Sequence, residues 1–550
     1  LTAPDSAGAG AEIDDTVELE PPVSDETVVF EPTVDAVVID TTVKPASANQ
    51  ARHPQLVGER PTTRTGAAVV WAYVLTLGRF TTTAIVTFVM AAYLSPRAYG
   101  VMALAMVWVT FAQTLALHGP VQAVIQRKEI TERHFDAAFW TTLAGSTVLA
   151  GLFVALAPVW ARVNGAPELT TVCFALAPSI VLNSLIVVPD AILQRNLLFK
   201  RLSMRVLAGG LVSGVAGVTV AVAGGGVWAL VVQQLTQTTV SAMLVWVAVP
   251  WRPRRGPIRE ALRDIQAYSL HSVSGFMANF FATRSDALLM GSFFGPVAIG
   301  YYRFAIRLTG TVNDVATGGL SQLSLPHLSR FAADRRAFAD QLGRVMHGGA
   351  LVALPAFGIL IPCSRDLLAF IGPQWAQARP AVILLCMAGT CLGIGTILGA
   401  AIQAAGRPGI IAAMAWTQAV LTGTALITIG IHYRHGAQTT QVFAIALTYT
   451  ILAILDLIAS VIVAFTVILK VPAGPPLLPS LPALLAGLAA VTVGFTVQSW
   501  SFVDSEKPFV GLVITGLAAG IVAAAVLLLL DRDVRVRAVI VAGRLRARFA

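Results

Sequence analysis

Fourteen runs of about twenty apolar residues, each separated from the next by a polar loop, leave this chain very few folds. They lie at 66–93, 98–118, 135–160, 169–190, 202–223, 226–249, 266–293, 297–322, 345–364, 380–404, 408–431, 439–468, 478–498 and 508–530. About twenty helical residues cross the roughly 30 Å hydrocarbon core of a bilayer. No water reaches the backbone there, so a spanning segment of this length must be a helix that satisfies its own N–H and C=O groups. Hydrophobic residues make up 56% of the chain and the mean hydropathy is +0.74, above the roughly 45–50% apolar share of soluble domains. The expectation is an all-α integral membrane protein with about 14 transmembrane helices.

Charge orients the spans. The first fifty residues hold eleven acids against the single base Lys44, with repeated Pro, Thr and Val and no helical period. They read as a disordered acidic cytoplasmic tail. This tail hides a strongly basic remainder of 37 bases and 18 acids. With a cytoplasmic N-terminus, 27 bases fall on inside segments and 6 outside, and adding or dropping one span would invert every later loop and destroy that bias. Both termini are then cytoplasmic and the protein is a multi-pass component of the inner (plasma) membrane. The tail has neither the basic start nor the apolar run of a signal peptide, so the first span is expected to act as an uncleaved insertion signal. The outside loops are too short for a catalytic domain.

A repeat divides the apolar region. Tyr93-Leu94-Ser95-Pro96-Arg97-Ala98-Tyr99-Gly100 recurs as Phe293-Phe294-Gly295-Pro296-Val297-Ala298-Ile299-Gly300, 200 residues on, each time closing the hairpin between two spans. A weaker echo links Ala191-Ile192-Leu193-Gln194 to Ala400-Ala401-Ile402-Gln403. The reading is a tail at 1–65, an N-lobe of six spans at 66–249, a basic linker at 250–265, a C-lobe of six spans at 266–469, two further spans at 470–530 and a basic cytoplasmic segment at 531–550. Six is even, so the lobes are parallel repeats about an axis along the membrane normal, with a central cavity between them.

Four arginines sit inside these spans: Arg79, Arg284, Arg303 and Arg307. A cation at mid-membrane costs roughly 2.5–3.5 kcal/mol on insertion scales, so such residues normally face a wet interior. Four of them suggest an anionic cargo. On span 8, Arg303, Arg307 and Asp314 share one helix face, with Gly310 leaving it open. On span 7, Arg284 and Asp286 are two residues apart and cannot face each other, so Asp286 looks to Arg303 or to a coupling cation. Thr76, Arg79 and Thr83 share a face of span 1. Asp456 in span 12 and Asn183 in span 4 suit hydrogen bonds between helices. Asp190 is expected to pair locally with Arg195. Asp286, Asp314 and Asp456 are therefore the coupling or structural acids.

The four cysteines, Cys173, Cys363, Cys386 and Cys391, form no CxxC pair and have no His at ligand spacing, so no metal site is expected and they read as small core residues. Trp251-Arg252-Pro253-Arg254-Arg255 is a basic interface anchor suited to anionic lipid headgroups. Walker A, GxGxxG and HExxH motifs are absent, so neither ATP hydrolysis nor a catalytic residue or cofactor is indicated, and nothing points to nucleic acid.

Several short strings carry a family likeness. Leu94-Ser95-Pro96 through Tyr99-Gly100, Gln126-Arg127-Lys128, Phe139-Trp140, Leu193-Gln194-Arg195-Asn196 with Phe199-Lys200, Gly226-Val227-Trp228-Ala229-Leu230-Val231 and Trp251-Arg252-Pro253 appear in order. Arg284-Ser285-Asp286 with Leu288-Leu289-Met290-Gly291, Gly300-Tyr301-Tyr302, Gln374-Trp375 and Gly406-Arg407-Pro408 follow. Together, over residues 66–470, they resemble the Wzx-type polysaccharide-transporter flippases, in the branch of the lipopolysaccharide and colanic acid exporters. The resemblance implies the multidrug/oligosaccharidyl-lipid/polysaccharide superfamily: two six-span lobes around a cavity. Its members of this type move a polyprenyl-diphosphate-linked oligosaccharide to the outer leaflet by alternating access, for cell-surface polysaccharide biosynthesis, alongside a polysaccharide polymerase and other envelope assembly proteins. The acidic tail and spans 13 and 14 depart from that core, although lipid-linked peptidoglycan-precursor flippases also have fourteen spans. The competing readings are a drug/cation antiporter of the same fold, which requires acids to dominate the cavity; a peptidoglycan-precursor flippase; a membrane polymerase or glycosyltransferase; and a scaffold for envelope assembly.

Overall fold

The computed structural model describes residues 82–116, 121, 124, 130–196, 198–256, 259–472, 474–500, 508–536 and 539. Span 1 is described only from Thr82, so Arg79, the acidic tail and the last basic residues lie outside the described residues. We number the helices α1 (Thr82–Tyr93), α2 (Pro96–Ala116), α3 (Glu132–Val163), α4 (Glu168–Arg195), α5 (Phe199–Val222), α6 (Val227–Ala248), α7 (Arg259–Ser329), α8 (Arg335–Ile371), α9 (Arg379–Ala404), α10 (Pro408–Tyr433), α11 (Gln438–Ile462), α12 (Leu481–Gln498) and α13 (Pro508–Leu530). Among the described residues there is no strand. Among the described residues eleven helical segments are long and apolar enough to cross a membrane.

Local chemistry starts and stops these helices. Asp334 caps α8, its carboxylate accepting from the N–H groups of Arg336 and Ala337 at 2.9 and 3.3 Å. Proline stands in the first turn of α9, α10 and α12, where its missing N–H costs nothing. After α11, a π-helical turn over Val463–Leu469 ends on Lys470, which adopts left-handed backbone angles (φ 56°) and halts the helix.

The sequence reading has spans 7 and 8 as separate helices, and the structure joins them as α7, broken at Gly295 (φ 74°, ψ 176°). Glycine alone takes that region without strain, and Pro296 disfavours helical angles in the residue before it. The break is a hairpin. Asp286 and Arg303, seventeen residues apart, would be roughly 25 Å apart along a straight helix, yet they form an ion pair at 2.8 Å. With the two limbs of α7 and with α1, which is described over the last part of span 1, the described helices are consistent with about fourteen spans.

Packing repeats between the halves. In the first, α3 packs on α4, α2 on α4, α4 on α6 and α5 on α6; in the second, α8 packs on α9, α7 on α9, α9 on α11 and α10 on α11. The halves meet most closely where the sequence repeat lies. A Cβ on Gly100 would stand 1.7 Å from the Pro296 carbonyl oxygen, and one on Gly300 would stand 1.8 Å from that of Pro96. This reciprocal crossing is what a two-fold axis along the bundle produces. The last two helices pack on each other and on α8.

Candidate functional site

A cavity of about 570 Å3 lies between the halves. One wall is the hairpin of α7, which contributes Arg284 from its first limb and Arg303, Ile306 and Arg307 from its second. The facing wall comes from the first half: Thr82, Thr83 and Thr87 of α1, Tyr99 and Met106 of α2, Ser213 of α5, and Gln233, Gln234 and Gln237 of α6. Among the described residues no carboxylate lines it.

Each arginine is held differently. The Nη2 of Arg303 donates to Oδ1 of Asp286 at 2.8 Å, and both side chains are largely covered. The same carboxylate oxygen accepts the N–H of Ala287 at 2.7 Å. Asp286 therefore stands behind Arg303 as its counter-ion, while Arg284, two residues earlier, turns into the cavity. The Nε of Arg307 donates to Oγ1 of Thr87 at 3.3 Å, reaching across to the other half. Among the described residues neither Arg284 nor Arg307 has a carboxylate within ion-pair distance. Two cations with no counter-ion among the described residues, lining one cleft, favour an anion there.

The cavity thus gathers Arg284, Arg303 and Arg307, while the three acids part company. Asp286 is buried behind the wall, Asp314 is exposed and is not a lining residue, and Asp456 is half-buried on α11, also outside the lining. Asp190, expected to pair with Arg195, pairs with Arg205 of α5 at 2.6 Å, and Arg195 donates to the Val124 carbonyl at 3.0 Å. The reading of single residues missed the glutamine face. Its signal was present: Gln233, Gln234 and Gln237 fall within about 100° of one another on a helix, in a span whose mean hydropathy of 1.2 is the lowest of the eleven.

Above the cavity an aromatic plug closes the end that carries the repeat. Trp375, fully buried, lies against Phe304 with ring centroids 4.1 Å apart and meets Tyr99 edge-on at 5.3 Å. Its Nε1–H donates to the Ala91 carbonyl at 2.8 Å, and Gln374 donates to the Ala92 carbonyl at 3.3 Å. These belong to the last carbonyls of α1, which have no partner within their own helix. At the basic end, Trp140 donates to the Arg254 carbonyl at 3.1 Å and stacks under Arg255, and Arg254 pairs with Glu132 at 3.0 Å. The Trp251–Arg255 segment is thereby pinned to the start of α3. Cys173, Cys363 and Cys386 are buried and Cys391 half-buried, all as free thiols. Among the described residues no group of three side chains could hold a metal ion.

Two six-helix halves enclosing a polar cleft, with two helices appended, make this a fold of multi-span membrane transporters. It is similar to lipid II flippase MurJ in an inward closed conformation, with a TM-score of 0.65 and 14% identity over 84% of this chain and 99% of that one. It is also similar to an inward-facing multidrug resistance MATE family transporter of the MOP superfamily, at 0.54 and 14%, over 69% of this chain and 93% of that one. Those likenesses concern the fold alone. The family follows from the sequence: the polysaccharide biosynthesis protein family model matches residues 89–380, more than half of the chain, and the chain belongs to that family. Relatives include the succinoglycan biosynthesis transport protein ExoT of Rhizobium meliloti, 23% identical over 58% of this chain and 65% of its own length. The teichuronic acid biosynthesis protein TuaB of Bacillus subtilis is 22% identical over 66% and 74%, and the lipopolysaccharide biosynthesis protein WzxC of Escherichia coli is 21% identical over 58% and 65%. The chain spans just under two thirds of the length of the first and third of these. The likeness to Wzx-type transporters read from short strings is borne out.

Proposed function

We propose that this protein is a flippase for a polyprenyl-diphosphate-linked oligosaccharide, carrying it from the cytoplasmic to the outer leaflet for cell-surface polysaccharide biosynthesis. The observation that carries the reading is the cleft between the halves, lined by Arg284, Arg303 and Arg307 and by no carboxylate among the described residues. A diphosphate is the part of such a lipid that most resists the membrane interior. Arginine forks match its oxygens bidentately. Arg284 and Arg307 receive the diphosphate, while Asp286 fixes the rotamer of Arg303 rather than binding cargo. The prenyl tail stays in lipid throughout.

Transport follows by rocking the lobe at 66–249 against the lobe at 266–469. The basic Trp251–Arg255 linker faces the cytoplasm with both termini and touches anionic headgroups, and the Trp375 plug seals the outer end. In this conformation the headgroup enters from the cytoplasmic side. A cation antiporter of the same fold needs acids on its cavity wall, and the described lining residues include none.

The test is binding of an undecaprenyl-diphosphate sugar to the purified protein, wild type beside Arg284→Ala and Arg307→Ala. Each lost charge-assisted hydrogen bond is worth roughly 1.5–3 kcal/mol, so affinity is expected to fall about 10- to 100-fold, less steeply in high salt. Undiminished binding in both well-folded variants would make the arginines structural. Binding of a cationic drug in place of the lipid would transfer the protein to the antiporters.

A further inference from the structure

The two walls of the cavity differ in kind. Among the described residues the three lining cations come from α7, in the second half of the chain, whereas the polar groups of the first half are amides and hydroxyls set among apolar side chains: Gln233, Gln234, Gln237, Ser213, Thr83 and Thr87. We infer that the α6 glutamine face is the glycan-reading site, selecting a hydroxyl-rich, uncharged first sugar while the α7 arginines hold the diphosphate. The inference rests on the flippase reading above and deepens it.

Chemistry separates the roles. A carboxamide offers two donors and an acceptor with two lone pairs, which is the complement of a sugar carrying several hydroxyls that both give and take. It is a poor match for a diphosphate, which only accepts. Glutamine is also expensive in a lipid-surrounded helix unless its head finds a partner, and these heads are only partly served. Gln237 uses its Oε1 to accept from Ser213 at 2.7 Å, and Gln234 makes one long contact, its Nε2 to Oγ1 of Thr238 at 3.4 Å. The stem of Gln233 lies beside the backbone of Gly217, where a Cβ would stand 2.9 Å from the Gln233 Cβ, so no side chain on α5 intervenes between the two helices there. Two glutamines thus present amide groups to the cleft with most of their hydrogen-bonding capacity in hand. A cleft of about 570 Å3 is the size that encloses a drug-sized headgroup. It suits a diphosphate with its first sugars rather than a polymer.

Two consequences follow. A substrate bridging the walls ties the lobes together, so the glycan contact is made to one lobe and the charge contact to the other. A sugar lacking a hydroxyl that the amides read leaves a buried amide unpaired, which is why polar sites reject such analogues far more strongly than apolar ones reject a missing methylene.

The experiment compares undecaprenyl diphosphate without sugar and the same lipid carrying one neutral hexose, binding each to the full-length protein in detergent. The variants are Gln233→Met and Gln234→Met, which keep side-chain length and remove the amide, and Gln234→Asn, which keeps an amide on a shorter stem. Wild type is expected to prefer the glycosylated lipid by about tenfold or more. The Met variants should lose that preference while binding the bare lipid as wild type does, and Gln234→Asn should keep part of it. Met variants that keep the full preference overturn the inference. So does an equal loss for both lipids, which makes the face a structural or phosphate-contacting one. Failure of the flippase reading looks different: wild type then binds neither the bare nor the glycosylated lipid.

Discussion

Removing one member of the Asp286–Arg303 pair leaves the other as an uncompensated charge, because both side chains are largely buried. Breaking a buried ion pair in this way costs roughly 3–5 kcal/mol. Asp286→Ala is therefore expected to lower the melting temperature of the purified protein far more than Arg307→Ala, whose hydrogen-bond partner among the described residues is the Thr87 hydroxyl. The joint variant Asp286→Leu with Arg303→Met should recover much of the loss, and a double-mutant cycle measures the coupling. A single variant no less stable than wild type would show that the two charges are not mutually dependent. The sequence carried this pair openly: Arg284 and Asp286 could not face each other two residues apart, which sent Asp286 toward span 8. It did not carry the pair of Asp190 with Arg205. Helix α4 runs past the start of α5, and proximity in sequence favoured Arg195 while the packing of two helices decided otherwise. Nor did single residues betray Gln233 and Gln234, since glutamine is rare enough in a span to notice but not charged enough to demand a cavity.

Helices were legible because bilayer thickness sets their length, and their ends because proline, glycine and capping side chains mark them. How the helices lean on one another was not, since small residues leave no periodic signal until both partners are known. The attachment of α12 to α8 shows this. A Cβ on Gly487 would stand 2.8 Å from the Leu354 carbonyl oxygen, and one on Gly358 would stand 2.5 Å from the Gly487 carbonyl oxygen. Backbone meets backbone there, as in other close-packed membrane helices, and neither side can yield locally. Gly487→Ala is expected to push α12 off α8 and destabilise the protein by about 1–3 kcal/mol, the usual cost of overpacking. Gly423→Ala on α10, where nothing lies within 4 Å of the added Cβ, should leave stability unchanged. Thermal unfolding of the two variants side by side decides the matter, and equal behaviour would mean the contact has slack. The break at Gly295 makes a second case. Its backbone angles (φ 74°, ψ 176°) fall in a region that is essentially glycine-only and costs a side-chain-bearing residue about 1–3 kcal/mol, so Gly295→Val should weaken the hairpin that brings Asp286 to Arg303, seen as lower stability than for Gly423→Ala.

At the scale of the molecule, the repeat was visible in the sequence but its interlocking was not. Tyr93 to Gly100 and Phe293 to Gly300 read as two equivalent hairpins, and only the three-dimensional arrangement brings Gly100 to Pro296 and Gly300 to Pro96. The Trp375 contact with Ala91 spans 284 residues, a separation over which no local pattern survives. Both features seal the same end, and the proposed alternation of access requires that end to part. Trp375 is the side chain whose removal tests this. It is fully buried among Tyr99, Tyr301 and Phe304, and deleting a buried tryptophan costs about 3–5 kcal/mol. If those contacts exist only while this end is closed, the whole cost falls on the closed state. A bias of that size shifts a two-state population by roughly 100-fold or more. Spin labels at Tyr93 and Phe370, both exposed near this end, should therefore report a longer distance in Trp375→Ala than in the otherwise unchanged protein. Gly100→Ala should lengthen it too, because its Cβ meets the Pro296 carbonyl. Shortened survival on heating with no change in either distance would reduce the plug to ordinary core. A longer distance that returns toward the wild-type value when the lipid-linked sugar is added would tie the plug to cargo, since a ligand moves such an equilibrium only through its unequal affinity for the two states.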